Sequence, residues 1–160
     1  MVLYREEQSF GRSTLAWLIL ALQIIPLIMV VVGLQTDDAE ALVGGVAAFV
    51  IIGLVQLWIL TARLVTVVDQ DALRISFRWL WPSRTIKHGD IERYEARTYG
   101  LFDSGGWGVH YALAGWTYNV SGNRGVALTL KNGSRLLVGS QQPESLVRAL
   151  DAARTGRSSG

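Results

Sequence analysis

The residues with the greatest chemical potential lie in a glycine-rich stretch in the second half of the chain. Residues 103–106 read Asp-Ser-Gly-Gly, an order typical of a serine nucleophile. Such a serine needs a base within hydrogen-bond reach and a third group that orients the base. The candidate partners, His88 and Asp90, stand only two positions apart in the sequence. The pattern therefore favours a glycine loop over a catalytic serine.

Other catalytic, nucleotide-binding and metal-binding patterns fail on spacing or composition. Residues 100–106 lack the Lys-Ser/Thr pair that completes a phosphate-binding loop. His88 and His110 are the two histidines, and a zinc site would need further ligands from carboxylates. Glu92 and Glu95 fall on opposite faces of a predicted strand, and the chain has no cysteine. We therefore expect no catalytic residue, no metal site and no cofactor.

Two long apolar runs dominate the first third of the chain. Residues 15–34 and 42–62 contain no charged side chain, and a short acidic stretch at 35–40 joins them. A helix of about 20 residues crosses the ~30 Å hydrocarbon core of a bilayer. The first run is also longer than the apolar core of a cleaved signal peptide, and a second run follows directly. The sequence therefore predicts a transmembrane helical hairpin over residues 13–62.

Charges and aromatic residues around the two runs predict which side of the membrane each end occupies. Excess Arg and Lys near the ends of spans marks the cytoplasmic side. The flanking bases are Arg5, Arg12 and Arg63, whereas the connecting turn is acidic. Trp17 and Trp58 fall near the span ends that a hairpin brings together, where indole rings concentrate at the membrane interface. We therefore expect an integral plasma-membrane protein with both termini in the cytoplasm.

A few residues inside the runs suggest how the two helices pack. Pro26 removes a backbone hydrogen bond and should kink the first helix. Gly44 and Ala48 give the second helix a small-residue face for close packing. Gln23 and Gln56 are the strongly polar side chains of the runs, and they can hydrogen-bond across the hairpin or to a neighbouring copy.

Behind the hairpin, the hydrophobic period changes from helical to two. Residues 63–154 predict about seven short antiparallel strands, with the Asn-Gly pair at 132–133 as the clearest hairpin turn. Pro143 then begins an amphipathic helix that covers the sheet. We treat residues 1–12 as a separate cytoplasmic segment and 155–160 as a disordered tail.

The glycines and aromatic residues of this domain resemble those of bacterial PH-like (pleckstrin-homology-like) membrane proteins, a family of unknown function with two N-terminal spans. The matching stretches are 107–110, 115–122, 125–126, 139–140 and 143–144. The resemblance implies a seven-stranded antiparallel β-sandwich or barrel with a C-terminal capping helix, and an OB-like barrel is the alternative. Eukaryotic PH domains often bind phosphoinositides through a basic first loop. Here that loop, 69–71, is acidic, so the resemblance does not imply that role.

Aromatic and basic residues supply the candidates for surface contacts. A strand that leaves the bilayer at Arg63 must be followed by one that returns, which brings the end of the second strand back towards the membrane. Candidates for membrane contact at that end are Arg78, Trp79, Trp81 and Arg84, with Leu101 and Phe102 as weaker ones. The alternative is that one or both tryptophans close the open end of the sheet. Possible partner-binding residues are Trp107, His110, Trp116 and Tyr118.

These observations favour a membrane-anchored, non-catalytic interaction module that docks a protein partner or another copy of itself. The alternatives are an accessory or assembly subunit of a larger membrane complex and, less favoured, a component of an enzyme or transporter. From Arg63 onward, 13 Arg and Lys residues stand against 8 Asp and Glu. This excess agrees with the topology and also with attraction to anionic lipids. The bases are scattered, so we expect no nucleic acid and no small-molecule substrate.

Overall fold

The computed structural model describes residues 1–12, 15–78, 81–100, 108–112, 115–120 and 122–157. These form two compact units, a helical unit of Phe10–Ala62 and a β domain made of Met1–Ser9 and the chain from Arg63 onward. The β domain is therefore discontinuous, because the helical unit is inserted after its first strand. Residues 1–12 are therefore not a separate segment as predicted, because Val2–Ser9 form strand β1 of this domain.

The helical unit contains α1 (Leu15–Ala21), α2 (Ile24–Thr36) and α3 (Ala39–Thr61), after a short 3₁₀ turn at Phe10–Arg12. Two segments, Ala16–Thr36 and Ala39–Thr61, are long and apolar enough to cross a membrane. The carboxylate of Asp38 accepts hydrogen bonds from the amides of Glu40 and Ala41, which caps α3 at its positive end.

The first apolar segment is interrupted at Leu22 and Gln23, which separate α1 from α2. The amides of these two residues bond carbonyl groups three positions earlier, at 3.2 and 3.1 Å. Pro26, the third residue of α2, has no amide hydrogen, and its ring clashes with the carbonyl of Leu22 in a continuous helix. The interruption therefore agrees with the kink predicted from Pro26 and lies one turn before it.

The described residues of the β domain form two sheets and one covering helix. Its later elements are β2 (Arg63–Asp69), β3 (Ala72–Arg78), β4 (Trp81–Lys87), β5 (Ile91–Thr98), β6 (Gly108–Ala112), β7 (Gly115–Asn119), β8 (Arg124–Leu130), β9 (Arg135–Gly139) and α4 (Pro143–Arg157). The first sheet has the order β1-β2-β3-β4, and the second has the order β5-β8-β9-β7-β6. Strands β7 and β9 are parallel, and all other pairs are antiparallel.

The prediction of about seven antiparallel strands in a closed sandwich or barrel is therefore wrong in count and in pairing. The described residues form nine strands, in sheets of four and five. One strand that the prediction lacks is β1, whose Arg5, Glu6 and Glu7 hide the alternation by which strands are recognised. The C-terminal helix is present, and its Leu146 and Leu150 are buried.

Glu6 ties β1 to the loop between β9 and α4. Its carboxylate accepts hydrogen bonds from the hydroxyls of Tyr4 and Ser140 and from the backbone amide of Gln141. Gln8, which is buried, donates to Glu6 and to the carbonyl of Gly139. Burial, followed by the bond to Glu6, raises the pKa of Tyr4, so its hydroxyl remains a donor at neutral pH. The first strand is thus fixed to the last part of the domain.

Replacing Glu6 with alanine should lower the free energy of unfolding of the β domain by about 3 kcal/mol, because it removes a charged acceptor and leaves the buried Ser140 hydroxyl without it. Glu7→Ala is the matched control, since Glu7 is exposed and its ion pairs within the described chain are with the exposed Arg63 and Arg5. Urea unfolding of the detergent-solubilised chain, followed by tryptophan fluorescence, measures both. Equal losses in the two variants would contradict this role of Glu6.

Candidate interaction surface

The register of the first sheet brings the two connections to the helical unit side by side. Ser9 pairs with Arg63, and Arg63 pairs with Arg78 on its other side. Ser9 is the last residue before the helical unit and Arg63 is the first after it. This agrees with the expectation that β3 returns to the end of the sheet where the chain meets the spans. Strand β4 starts at the same end, where Trp81 pairs with Phe77.

Three aromatic side chains from both sheets meet in what we call the aromatic surface, formed by Trp81, Tyr111 and Trp116. The ring centroids of Trp81 and Trp116 lie 6.0 Å apart, and those of Tyr111 and Trp116 lie 5.9 Å apart in an edge-to-face arrangement. Aromatic pairs favour such offset and T-shaped geometries. Tyr111 is 74% exposed and Trp81 is 45% exposed. The structure thus brings Trp81, which is predicted to contact the membrane surface, next to Trp116, which is predicted to bind a partner.

A groove of about 270 Å³ lies beside the aromatic surface. Its lining residues are Tyr111, Gly115, Trp116, Gly133, Ser134 and Arg135. Gly115 has a φ of +93°, and a Cβ there would collide with the carbonyl oxygen of Arg135. Glycine therefore allows β7 to approach β9 closely and forms the floor of the groove. Arg135 pairs with no carboxylate among the residues that the structure describes, so it places an uncompensated cation next to the rings.

The other residues predicted for partner or membrane contact differ in how exposed they are. Tyr118 is only 2% exposed and belongs to the core, so its prediction as a partner-binding residue is wrong. It follows Trp116 by two positions on β7, and only the end of that strand reaches the surface. His110 and Arg84 are half-buried and Arg78 is exposed. The stretches containing Trp79, Leu101, Phe102, Ser104 and Trp107 lie outside the described residues.

In the helical unit, both glutamines bond across the hairpin. The side-chain amide of Gln56 donates to the carbonyl of Ile19 at 2.6 Å, and that of Gln23 donates to the carbonyl of Phe49 at 3.2 Å. Ile19 lies in the last turn of α1, where its carbonyl also accepts a hydrogen bond from the amide of Leu22 at 3.2 Å. The side chain of Gln56 therefore supplies a second donor to this carbonyl, next to the interruption between α1 and α2. Trp17 and Trp58 are 75% and 51% exposed, and their contact with the membrane interface stays a prediction.

Helix packing uses other glycines than the predicted one. A Cβ on Gly44 would meet no atom within 4 Å, so this residue faces outward, and Ala48 is only half-buried. The close approach occurs at Gly45, where a Cβ would lie 2.8 Å from the amide nitrogen of Val30. Gly33 makes the second such approach, to Leu42 at 2.6 Å. Consecutive residues of a helix point about 100° apart, so Gly44 and Gly45 lie on different faces of α3. The sequence spacing did not show which of the two faces the other helix.

The acidic turn after β2 is a structural unit. The carboxylate of Asp69 accepts hydrogen bonds from the amides of Ala72 and Asp71 and pairs with Arg74 at 3.1 Å. These backbone bonds, with the nearby cation, lower the pKa of Asp69. The ionised Asp69 carboxylate therefore stabilises the folded β domain at pH values above the pKa that Asp69 has in the unfolded chain. This stabilisation is lost as the pH falls through the lowered pKa of the folded chain. His88 is buried and lies 2.7 Å from the carbonyl oxygen of Asp69.

The comparisons with known proteins give no relative to set beside this geometry. No protein-family model, no curated protein and no solved structure matches the chain. Within the described residues, no group of three or more His, Cys, Asp or Glu side chains is placed to hold a metal ion. The structure defines an α+β protein in which a helix pair with membrane-span potential interrupts a β domain of two sheets and a C-terminal helix.

Gln56→Leu should lower the thermal stability of the detergent-solubilised protein, because it leaves the Ile19 carbonyl without its side-chain donor at the helix interruption. The expected cost is about 1 kcal/mol, as for other polar contacts between membrane helices. Gln23→Leu is the matched comparison. Its bond is longer, and its side-chain oxygen has no partner, so this change should cost less. The reverse order of the two melting temperatures would contradict the assigned role of Gln56.

Proposed function

We propose that the chain is a membrane-anchored, non-catalytic docking module that binds a protein partner or another copy of itself at the cytoplasmic membrane face. The observation that supports this most is the aromatic surface of Trp81, Tyr111 and Trp116. Tyrosine, tryptophan and arginine are the residue types that dominate the binding energy of protein interfaces. All three types meet here, since Arg135 lines the groove beside the rings.

The position of these rings argues for docking over a purely structural role. A ring that only closes the end of a sheet is expected to be buried, whereas Tyr111 is 74% exposed. Its edge-to-face contact with Trp116 holds the exposed ring in place, which reduces the entropy lost on binding. The groove beside it is open and shallow for a substrate site, but it suits a protruding side chain of a partner.

The proposed fold relationship is to PH-like domains. Two sheets followed by a covering C-terminal helix support it. Two features depart from the expected pattern. Strand β1 comes from before the hairpin, and β7 and β9 pair in parallel. We propose a PH-like variant into which the membrane hairpin has been inserted.

The proposed topology places both termini in the cytoplasm, with Trp17, Trp58, Arg78, Trp81 and Arg84 near the inner membrane interface. The pairing of Ser9 with Arg63 supports it, because the chain must then enter and leave the membrane on one side. Arginines on that side and acids in the α2–α3 turn set the direction.

A cysteine introduced by Thr36→Cys should be labelled by a membrane-impermeant thiol reagent added to intact cells, because Thr36 ends α2 at the outer turn. One introduced by Ser159→Cys should be labelled only after the cells are opened. The chain has no natural cysteine, so background labelling is absent. Labelling of position 159 but not 36 in intact cells would reverse the proposed orientation.

A photo-crosslinker at the aromatic surface tests the docking role. Tyr111→p-benzoylphenylalanine should give a defined protein adduct on irradiation of intact cells, because Tyr111 is the most exposed ring of the surface. Arg148→p-benzoylphenylalanine is the control, since Arg148 is exposed on the covering helix α4. Adducts are detected by mass shift on denaturing gels and identified by mass spectrometry.

The adducts separate the alternatives. A single protein linked at Tyr111 and not at Arg148 supports docking. An accessory subunit should, in addition, purify under mild detergent in a complex of fixed stoichiometry. Adducts with lipid alone, or the same adducts at both positions, would contradict docking through the aromatic surface.

A further inference from the structure

A second groove, of about 290 Å³, lies between β4 and the turn that joins β8 to β9. Its described lining includes Arg84 and Thr85 on β4, Asp90 just before β5, and Lys131 and Asn132 in the turn. Because β4 belongs to the first sheet and β8 and β9 belong to the second, the groove is formed by both sheets of the β domain. We call it the basic groove, since two of these residues are cations and one is an acid.

Neither cation of the basic groove has an acidic partner within the described chain. The ion pairs of the described residues involve other bases, namely Arg5, Arg63, Arg74, Arg93 and Arg124. Asp90 lines the same groove, but its carboxylate is not within ion-pair distance of Arg84 or Lys131. Arg84 is half-buried, and Lys131 is exposed. A cation partly withdrawn from water favours an anionic ligand, because a charge-assisted hydrogen bond replaces lost hydration.

The β8–β9 turn separates the basic groove from the groove beside the aromatic surface. Asn132 lines the basic groove, and the next residue, Gly133, lines the other one. Cations stand at both ends of this turn, with Lys131 in the basic groove and Arg135 beside the rings, and the residues between them carry no charge. A partner segment that contacts Tyr111 and passes over the turn therefore meets cations on both sides of it.

We infer that the partner docks through an acidic segment. Its Asp or Glu carboxylates pair with Arg135 beside the aromatic surface and with Arg84 and Lys131 in the basic groove. This inference rests on the proposed docking function and names the chemistry of the partner. Charge complementarity carries it, because the continuous surface offers three cations that have no acidic partner in the described chain. Complementary charges accelerate encounter and discriminate against wrong partners.

The form of the basic groove favours a peptide over the headgroups of a bilayer. Arg84, although it is proposed to lie near the membrane interface, is half-buried, so a projecting side chain reaches it more readily than a flat surface does. Asp90 would repel a dense layer of phosphates, whereas a peptide can place an uncharged residue opposite it. The hydroxyl of Thr85 and the side-chain amide of Asn132 offer hydrogen bonds to a peptide backbone.

The lysine content of the chain allows a direct test, because Lys87 and Lys131 are its two lysines. A carbodiimide condenses a lysine amine with a carboxylate in contact with it and forms an amide bond. In opened cells it should link Lys131 to an Asp or Glu of the same protein that the crosslinker at Tyr111 captures, and mass spectrometry identifies both linked residues. Lys131→Arg keeps the charge but removes the amine, so it should abolish the link and preserve the Tyr111 adduct. Lys87→Arg is the matched control and should leave the link unchanged.

Removal of the two charges of the basic groove provides the second measurement. In the chain that carries the crosslinker at Tyr111, Arg84→Gln combined with Lys131→Gln should lower the yield of the protein adduct on the order of fivefold, as expected for the loss of two exposed ion pairs. Arg97→Gln combined with Arg148→Gln is the matched control, because both are exposed cations on other elements, β5 and α4, and it should leave the yield unchanged. The melting temperatures of both double variants check that the β domain stays folded.

The outcomes separate this inference from the docking proposal. If Tyr111 captures a protein but Lys131 forms no link to a carboxylate of that protein, the acidic segment is wrong and the docking function stands. The same conclusion follows if both double variants lower the yield equally. Links of Lys131 to lipid, or to Asp90 of the same chain, would also overturn the inference. If Tyr111 captures no protein, the docking function fails, and the inference fails with it.

Discussion

The pairing of β1 with β2 is the constraint on which the arrangement of the chain depends. These strands are neighbours in one sheet, although the whole helical unit separates them in sequence. The β domain cannot complete its first sheet until the helices have brought Ser9 back to Arg63. An antiparallel helix pair does this at little cost, because a preformed hairpin closes a much shorter effective loop than a flexible chain of the same length. Helix packing and sheet assembly are therefore coupled through the backbone.

The N-terminal strand also shows why a highly charged segment can be ordered. Its charges face two different environments. Glu7 meets Arg63 at the exposed side of the strand, whereas Glu6 is surrounded by hydroxyl and amide donors from the segment before α4. A carboxylate with several donors is stable where an unpaired one would not be. The same contacts close the domain by joining its first strand to the segment that begins its last helix.

Elements defined by local composition were predictable from the sequence, and those defined by distant pairing were not. Two charge-free runs are enough to identify the segments that are long and apolar enough to cross a membrane, and Pro143 marks the beginning of α4. By contrast, β1 depends on distant partners. It pairs with β2, and its Glu6 accepts a hydrogen bond from Ser140. Pro26 indicated the interruption of the first helix. The identity of the packing glycine, Gly45, depended on which face of α3 turns towards α2, and composition does not encode this.

The candidate site was predictable in residue type but not in arrangement. Trp81 and Trp116 are both conspicuous in the sequence, yet nothing local indicates that β4 of one sheet and β7 of the other bring their rings together. The alternation along β7 gave no sign that Tyr118 is buried while Trp116 reaches the surface. Such juxtapositions arise from strand order, which is set by contacts far apart in the chain.

The insertion of the helices has a consequence for engineering. A fragment that begins at Arg63 would leave β2 as a bare edge and Ser140 without Glu6, which favours aggregation. Ser9 and Arg63 are directly opposed in an antiparallel pair, a geometry that a two-residue turn closes in ordinary β-hairpins. A tight turn such as Asn-Gly in place of the helical unit should therefore keep β1 and β2 paired. In this sense, the helical unit occupies the position of the loop in the first β-hairpin of the domain.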